Sequence, residues 1–188
     1  DYSVTYLSNK NVGTAKVVIC GKGVYTNSLT KTFTIRPETM ASAVITGCKA
    51  KYSYTGKQVK PLIQVVWNGK ILRNNTDYTL LYKNNKKRGS AGIVVTGKGN
   101  YSGTLTASFT IVRASVKKAS VTGLKAVYAR TGKAVKPKVT VKLGGKKLKK
   151  KRDYILSYRK NKKKGTALLY LKCVVNYSGT KKMKFKIR

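Results

Sequence analysis

Apolar and polar residues alternate along most of the chain with a period of two, which is the pattern of β-strands that are buried on one side. Tyr2, Val4 and Tyr6 occupy every second position at the start of the chain. Turn-forming pairs such as Asn68-Gly69 separate these runs, at the spacing of antiparallel hairpins. No stretch shows the periodicity of an amphipathic helix. The pattern therefore predicts an all-β fold made of antiparallel strands.

The alternating pattern belongs to a unit that occurs three times without a gap. Asp1, Asp77 and Asp153 hold the same position in successive copies, 76 residues apart. A glycine, a tyrosine and a phenylalanine also keep their register: Gly13, Gly89 and Gly165; Tyr25, Tyr101 and Tyr177; Phe33, Phe109 and Phe185. We expect each phenylalanine to point into the core of its copy. A repeat of this length suits a small β-sandwich domain, immunoglobulin-like in the broad sense.

The repeat predicts three domains. The first repeat, residues 1–39, matches only the C-terminal half of the unit, the second repeat comprises residues 40–113, and the lysine-rich third repeat comprises residues 114–188. Pro37-Glu38-Thr39 is expected to be a short linker, because proline resists strand pairing. The first copy is interpreted as a truncated fragment or as the remainder of a repeat whose upstream portion was lost.

The chain is strongly basic, with 42 Lys and Arg against 4 Asp and Glu and a formal net charge of +38. A charge of this size predicts a polyanionic partner, and it carries no information about the fold. Candidates are nucleic acid, anionic wall polymers such as teichoic acid, acidic glycans and anionic lipid headgroups. Basic side chains number 5 in residues 1–40, 12 in residues 41–113 and 25 in residues 114–188, against 2, 1 and 1 acidic ones. The third repeat therefore carries most of the charge.

The additional lysines fall at positions that are predicted to face solvent. Thr106, Ser108 and Thr110 of the second repeat are replaced by lysines in the third, while the inward positions stay apolar. The predicted polyanion-binding residues are Lys146, Lys147, Lys149, Lys150, Lys151, Arg152, Arg159, Lys160, Lys162, Lys163, Lys164, Lys182, Lys184 and Lys186. Lys predominates over Arg, which favours diffuse attraction to a polymer over bidentate recognition of single phosphates. An alternative is that these lysines only keep the module soluble and prevent edge-strand pairing.

The predicted basic residues do not all belong to one place. Loops 146–152 and 159–164 are expected at opposite ends of strand 153–158, so they cannot form one compact pocket. The lysines of strand 181–188 are expected to form an extended band, which suits a polymer.

The inventory of residues argues against catalysis. The chain has no His, so it cannot build a Ser-His, Cys-His or histidine-metal site. Three of the four acids occupy one equivalent position in three copies, which leaves no pair of carboxylates for acid–base chemistry. No cysteine position recurs, so we expect no structural disulfide and interpret Cys48 as a core residue. We predict no catalytic residue, no metal ligand, no cofactor and no membrane-spanning helix.

A set of short motifs carries a resemblance to a known family. The motifs are Tyr54-Thr55-Gly56-Lys57-Gln58-Val59-Lys60-Pro61, Asp77-Tyr78, Asn84-Asn85, Gly97-Lys98-Gly99-Asn100-Tyr101-Ser102-Gly103 and Phe109-Thr110-Ile111. In these the chain resembles the tandem bacterial immunoglobulin-like repeats of Gram-positive surface and secreted proteins. The resemblance implies an extracellular location, at the cell surface or in the cell wall, and an upstream domain of the same parent protein. The first and third copies depart from the motif at Val24–Asn27 and Cys173–Val175.

The expected function is noncatalytic attachment. The lysine-rich repeat would hold its parent protein on the cell wall or another polyanion, with teichoic acid, another wall polymer or an acidic glycan as partner, and the earlier repeats would act as spacers. One alternative is a purely structural spacer or stalk. Another is a module that binds a carbohydrate or host ligand, which would need an exposed aromatic platform near Tyr170. A nucleic-acid partner is not expected, because no known nucleic-acid motif occurs.

Overall fold

The computed structural model describes every residue from 1 to 188. More than half of the residues lie in β-strands, and the helical content is one 3₁₀ turn at Val116–Lys118. The all-β prediction is therefore confirmed. The chain divides into two compact units, one made of residues 1–50, 60–83 and 91–109 and the other of residues 51–59, 84–90 and 110–188.

The first repeat forms one antiparallel sheet of three strands. These are β1 (Tyr2–Leu7), β2 (Gly13–Gly21) and β3 (Ser28–Ile35), in the spatial order β1-β2-β3. The register places Val4 opposite Ile19 and Ala15 opposite Phe33. Because successive side chains point to opposite faces of a strand, these four residues share one face of the sheet.

The second repeat has nine strands. They are β4 (Glu38–Thr39), β5 (Val44–Thr46), β6 (Lys51–Ser53), β7 (Gln64–Trp67), β8 (Lys70–Leu72), β9 (Tyr78–Lys83), β10 (Gly89–Gly97), β11 (Tyr101–Ser102) and β12 (Thr104–Val112). Their sheets have the orders β5-β7-β8 and β6-β12-β10-β9, and β4 pairs with β11. Asn68 and Gly69 join β7 to β8 with positive φ angles of 46° and 76°, as in a two-residue hairpin turn.

The third repeat has the same arrangement. Its strands are β13 (Ala114–Ser115), β14 (Ser120–Thr122), β15 (Val127–Tyr128), β16 (Thr140–Leu143), β17 (Lys146–Lys147), β18 (Tyr154–Arg159), β19 (Gly165–Cys173), β20 (Tyr177–Ser178) and β21 (Thr180–Ile187). The sheets have the orders β14-β16-β17 and β15-β21-β19-β18, and β13 pairs with β20. The three-stranded sheet comes from the first half of the repeat, and three of the four strands in the larger sheet come from the second half.

The core of the third repeat receives apolar side chains from both sheets. Val141 of β16 and Leu148, which follows β17, lie in one buried cluster with Tyr154 of β18 and Leu171 of β19. A second cluster contains Ala167, Leu169, Phe185 and Ile187. Burial of each large apolar side chain stabilises the fold by about 1.5–3 kcal/mol, so the repeat depends on both of its sheets.

The first repeat departs from the expectation that its phenylalanine is buried. Phe33 is 41% exposed, whereas the equivalent Phe109 and Phe185 are each 2% exposed. Tyr2 is 67% exposed, against 3% for the equivalent Tyr154. The prediction was wrong because no three-stranded sheet covers this face in the first repeat. The period of two identifies which residues share a face, but it does not show whether a second layer covers them.

Two smaller predictions were also wrong. Glu38 and Thr39 are not a linker: they form β4, which pairs in parallel with β11, and the Glu38 N–H donates to the carbonyl of Asn100 over 2.9 Å. Pro37 lies just before this strand, where its missing N–H removes no pairing bond. Cys48 is only half-buried, because it lies in the irregular segment between β5 and β6, whereas Cys173 at an inward position of β19 is buried.

Candidate polyanion-binding surface

The last strand of the third repeat separates apolar from cationic side chains. In β21, Phe185 and Ile187 are buried, whereas Lys182, Lys184 and Lys186 are exposed. Side chains on one face of a strand are two residues apart, which corresponds to about 6.7 Å. The three ammonium groups therefore arise from one straight row about 13 Å long at the backbone. These three exposed lysines occupy the positions at which the sequence predicts a band.

The neighbouring strand contributes to the same face. Tyr170 of β19 is the register partner of Lys182. Lys172 lies two positions further along β19 and is exposed, so its side chain shares the face with Tyr170. We call the set Arg159, Tyr170, Lys172, Lys182, Lys184 and Lys186 the lysine face.

Tyr170 lies among cations rather than apart from them. The guanidinium carbon of Arg159 lies 5.7 Å from the centre of its ring, and the Nζ of Lys182 lies 5.9 Å from it. Both distances are within the range of a cation–π interaction. The ring can thus hold two like charges close together, which a purely aliphatic residue at this position would not do. In the other copies the position is occupied by Val18 and Val94.

No carboxylate of the third repeat neutralises the lysine face. Asp153 is the repeat's single acid, and its side chain is buried. Its Oδ2 accepts from the backbone N–H of Lys149 at 2.8 Å, and the Nε and Nη2 of Arg152 donate to Oδ1 and Oδ2 at 2.9 and 2.8 Å. These contacts fix the turn that leads into β18. The positive charge of the face is therefore not neutralised by an acidic side chain of the repeat.

The Arg152–Asp153 contact also changes the electrostatics of both groups. The hydrogen bond from Arg152 lowers the pKa of the Asp153 carboxyl, and the Lys149 N–H acts in the same direction. The same hydrogen bond raises the pKa of Arg152. Arg152, a predicted polyanion-binding residue, thus has its guanidinium committed to an internal partner. A polyanion would have to compete with Asp153 for it.

The loop between β18 and β19 carries a dense group of predicted residues. Lys160, Lys162, Lys163 and Lys164 line a shallow concavity of about 510 Å³ together with Asn161, Gly165 and Thr166. The Asn161 side chain donates to the carbonyl of Val135, and the Val135 N–H donates back to the carbonyl of Asn161. These two bonds hold the loop while the lysine side chains stay exposed.

The same loop backbone occurs in all three repeats. Ser8, Asn84 and Lys160 have φ angles of 56°, 54° and 54°, and the glycines that end the loops have φ angles between 126° and 139°. Such angles suit glycine at the loop end and are uncommon for a residue such as lysine at the loop start. The third repeat therefore carries more lysines on a loop whose backbone conformation is the same. Its first residue, Lys160, adopts the left-handed backbone conformation.

The loop that follows β16 places its basic residues differently. Lys146 and Lys147 lie in β17, after a turn at Gly144 and Gly145, and the Nζ of Lys146 lies 5.7 Å from the ring centre of Tyr54. The following residues Lys149, Lys150 and Lys151 are exposed. Strand β18, with six residues, separates this loop from the loop at 159–164, a distance of about 20 Å. The structure thus keeps the two loops apart, as the sequence predicts.

The structure assigns positions to two lysines, Lys172 and Lys181, that were not predicted from the sequence. Lys172 belongs to the lysine face, and the period of two along β19 could have identified it. Lys181 lies next to the face in sequence but not in space, because it occupies an inward position and its Nζ donates to the carbonyl of Ala119 at 2.6 Å. The cation–π cluster at Tyr170 depends on strand register, for which the sequence carries no separate signal.

Comparisons of this chain with known proteins identify no relative. No protein-family model, no curated protein and no solved structure matches the chain. No group of three or more Cys, Asp or Glu side chains is placed to hold a metal ion. The chain contains no helix with the length and apolarity of a membrane crossing.

Proposed function

We propose that the third repeat attaches the protein noncatalytically to an anionic polymer, and that the other repeats act as spacers. The proposed partner is teichoic acid or another anionic wall polymer on the surface of a Gram-positive cell. The proposed fold of each complete repeat is an immunoglobulin-like β-sandwich, supported by the two sheets that share a core in the third repeat. The proposed location and role of the protein rest on the resemblance of its sequence motifs to the bacterial immunoglobulin-like repeats.

The observation that carries the proposal is the replacement of three outward residues on the last strand of the repeat, where the inward Phe and Ile are kept. Thr106, Ser108 and Thr110 of β12 correspond to Lys182, Lys184 and Lys186 of β21. The core needs only the inward residues, so folding does not require these lysines. Solubility could be gained with either sign of charge, and 25 basic residues against one acid in the third repeat increase self-repulsion. An anionic ligand explains why this self-repulsion is accepted, and the row of lysines on β21 is the part of the repeat best arranged to bind one.

The shape of the lysine face favours a polymer over a small anion. Its β21 lysines are exposed and lie in a row along one strand. A lysine ammonium is a mobile point charge, whereas an arginine guanidinium recognises two oxygens at fixed angles. A row of such charges binds a repeating anion through many weak contacts and by release of counterions.

The direct test is binding of the whole chain to purified Gram-positive wall, with and without teichoic acid, over a series of salt concentrations. We expect binding that requires teichoic acid and weakens steeply and log-linearly with salt. The matched control carries the residues of the second repeat at the same positions, Lys182→Thr, Lys184→Ser and Lys186→Thr. Equal binding by the chain and this variant would contradict the assignment of the site. Negligible binding by both proteins would contradict attachment to the wall and would favour a purely structural spacer.

A second candidate function is binding of an acidic carbohydrate, and the position of Tyr170 is the observation that favours it. An aromatic ring on an exposed sheet face can stack against a sugar, and Arg159 and Lys182 beside it can pair with a carboxylate. Replacement of Tyr170 by valine, the residue found at the same position in the other two copies, separates the two candidates. Binding to an acidic glycan would weaken in this variant, whereas binding to teichoic acid would change little.

A further inference from the structure

The outer edge of β18 carries backbone groups beside which no further strand lies. β18 is the last strand of the sheet β15-β21-β19-β18, and β19 is the only strand that pairs with it. The Tyr154 carbonyl accepts from the Lys151 N–H at 2.8 Å, so it points away from β19. Because successive residues of a strand direct their backbone groups to opposite sides, the N–H and C=O of Leu156 and Tyr158 point away from β19 as well. This edge can therefore accept an added strand.

Exposed lysines lie at both ends of this edge. The loop before β18 contributes Lys149, Lys150 and Lys151, and the loop after it contributes Lys160, Lys162, Lys163 and Lys164. The six residues of β18 separate the two groups by about 20 Å. The single acid of the repeat, Asp153, is buried and already engaged by Arg152. The edge is thus a stretch of unpaired backbone between two groups of cations.

The backbone at both ends shows that these cations are kept at a conformational cost. Lys151 and Lys160 adopt φ angles of 69° and 54°, in the left-handed region. In the second repeat the same positions are Asn75 and Asn84, with φ angles of 67° and 54°. Asparagine is enriched in this region, whereas a residue such as lysine is uncommon there. The third repeat thus places a lysine at each end of the edge, where asparagine fits the backbone better.

The charge at the two ends decides what kind of strand the edge accepts. In an antiparallel pair of two β18 strands, the loop before β18 in one chain would meet the loop after β18 in the other. Both loops are basic, so a second copy of the chain would be repelled. A strand with acidic residues at its ends would instead be attracted at both ends. The lysines therefore disfavour self-pairing and favour an acidic partner.

We propose that the outer edge of β18 binds an extended peptide segment with Asp or Glu at both ends. The main chain of this segment exchanges hydrogen bonds with Leu156 and Tyr158, and its acidic ends pair with the lysines of the two loops. Its central side chains lie beside Ile155, which is 45% exposed, on one face of the sheet and beside the half-buried Leu156 on the other. β-branched residues suit these central positions. The site uses the edge of the sheet and does not depend on binding of an anionic polymer to the lysine face.

The test uses the whole chain and a fluorescein-labelled peptide of sequence Glu-Glu-Thr-Val-Thr-Val-Thr-Glu-Glu. The acidic pairs of the extended peptide are about 20 Å apart, which matches the length of β18. Fluorescence anisotropy measures the affinity, and amide hydrogen exchange followed by NMR locates the bound strand. We expect the amides of Leu156 and Tyr158 to exchange more slowly as the peptide concentration rises. The amides of Ile155 and Ser157, which bond to β19, should change little.

A modified peptide separates main-chain pairing from attraction between charges. N-methylation of the central amides removes the hydrogen-bond donors of the peptide and keeps its charges and side chains. We expect the modified peptide to bind at least about tenfold more weakly and to give no protection at Leu156 and Tyr158. Equal binding of the two peptides would show that the loops attract any acidic peptide, and it would overturn strand addition.

Matched variants test the lysines at the ends of the edge. Lys151→Asn and Lys160→Asn together introduce the residues of the second repeat, and asparagine suits the left-handed backbone, so this variant should fold. We expect its affinity for the peptide to fall about 3- to 10-fold, through the loss of two exposed charge contacts. The control Lys117→Ala, Lys118→Ser also takes its residues from the second repeat and removes the same charge outside β18 and its loops. It should bind the peptide as the unmodified chain does.

Other results would also overturn the proposal. Slow exchange at Leu156 and Tyr158 in the free chain at every protein concentration would show that the edge is already covered. Protection that rises with the concentration of the chain alone would assign the edge to a second copy. Equal loss of affinity in the two lysine variants would show that only net charge attracts the peptide.

Discussion

Removal of the three β21 lysines should change the salt dependence of polyanion binding by a calculable amount. The lysine face contains five cations: Arg159, Lys172, Lys182, Lys184 and Lys186. For a flexible anionic chain, each neutralised phosphate adds about −0.7 to the slope of log K against log salt. Five contacts give a slope of about −3.5, and the two that remain in the variant Lys182→Thr, Lys184→Ser, Lys186→Thr give about −1.4.

These slopes predict a large difference in a simple titration. When salt rises from about 50 mM to about 200 mM, the affinity of the unmodified chain should fall about 130-fold, and that of the variant about 7-fold. The assay is fluorescence anisotropy with labelled polyphosphate or lipoteichoic acid, repeated at several salt concentrations. The apolar partners Met183, Phe185 and Ile187 are untouched, so an unchanged unfolding midpoint would confirm that the variant is folded.

The control removes the same charge elsewhere in the third repeat. Lys117→Ala, Lys118→Ser and Lys138→Ser lower the net charge by three without altering the lysine face. We expect this variant to keep a slope close to −3.5, estimated as about 0.7 for each of five contacts. Equal slopes for the two variants would refute the reasoning, because they would show that net charge matters and the position of the lysines does not.

Four further predictions concern stability and the cysteines. Asp153→Ala should lower the free energy of unfolding by about 2–3 kcal/mol, because it removes a charged acceptor from the turn before β18; denaturant titration measures this. Asp77→Ala should cost about 1 kcal/mol less, because the Arg73 Nε lies 3.7 Å from Asp77, against 2.8 Å for the Arg152–Asp153 pair. The pKa of Asp153 is lowered in the folded state, so its stabilising contribution is complete above the unfolded pKa of about 3.9 and is lost as the pH falls through the folded pKa. The free energy of unfolding should therefore fall as the pH drops below about 4, and it should depend less on pH in this range for Asp153→Asn; denaturant titrations at several pH values test this. In the native protein a thiol reagent should modify Cys20 rapidly and Cys173 only after unfolding. Cys20 is exposed, whereas Cys173 is buried and burial raises the pKa of its thiol. Mass spectrometry at timed intervals measures the order of modification, and the reverse order would contradict the prediction.

Most of the strands could be predicted from the sequence, because the repeat supplies the same pattern several times. The alternation in β9, β10 and β12 recurs in β18, β19 and β21, and it identifies their inward residues correctly. The turn at Gly144 and Gly145 follows from chemistry, since positive φ angles at both positions favour glycine. Local patterns of this kind are sufficient for strands and turns.

The exposure of the first repeat could not be predicted in the same way. Tyr2 and Phe33 have the same local alternation as Tyr154 and Phe185, yet they remain exposed, because the first repeat has no equivalent of the strands β14, β16 and β17. Burial depends on a second layer of strands, which is a non-local property. The parallel pairing of Glu38 with Tyr101 is non-local as well, because it joins residues that are far apart in sequence.

The candidate site was predictable in part. The outward lysines of β21 follow directly from the alternation, and Lys172 follows from the same rule applied to β19. The grouping of Arg159, Tyr170 and Lys182 depends on the register of three strands, which is set by the whole sheet. The engagement of Arg152 by Asp153 was also not predictable, because the direction of a long side chain depends on its local hydrogen bonds.

The most direct test of polyanion binding by the lysine face is a lysine footprint of the whole chain. Lysines would be acetylated with and without saturating teichoic acid at moderate salt, and the modification of each residue would be measured by mass spectrometry. We predict that Lys172, Lys182, Lys184 and Lys186 are protected most strongly, and that Lys49 in the second repeat is modified at the same rate with and without the polymer. Protection spread evenly over the chain, or absent from the lysine face, would contradict the proposed function.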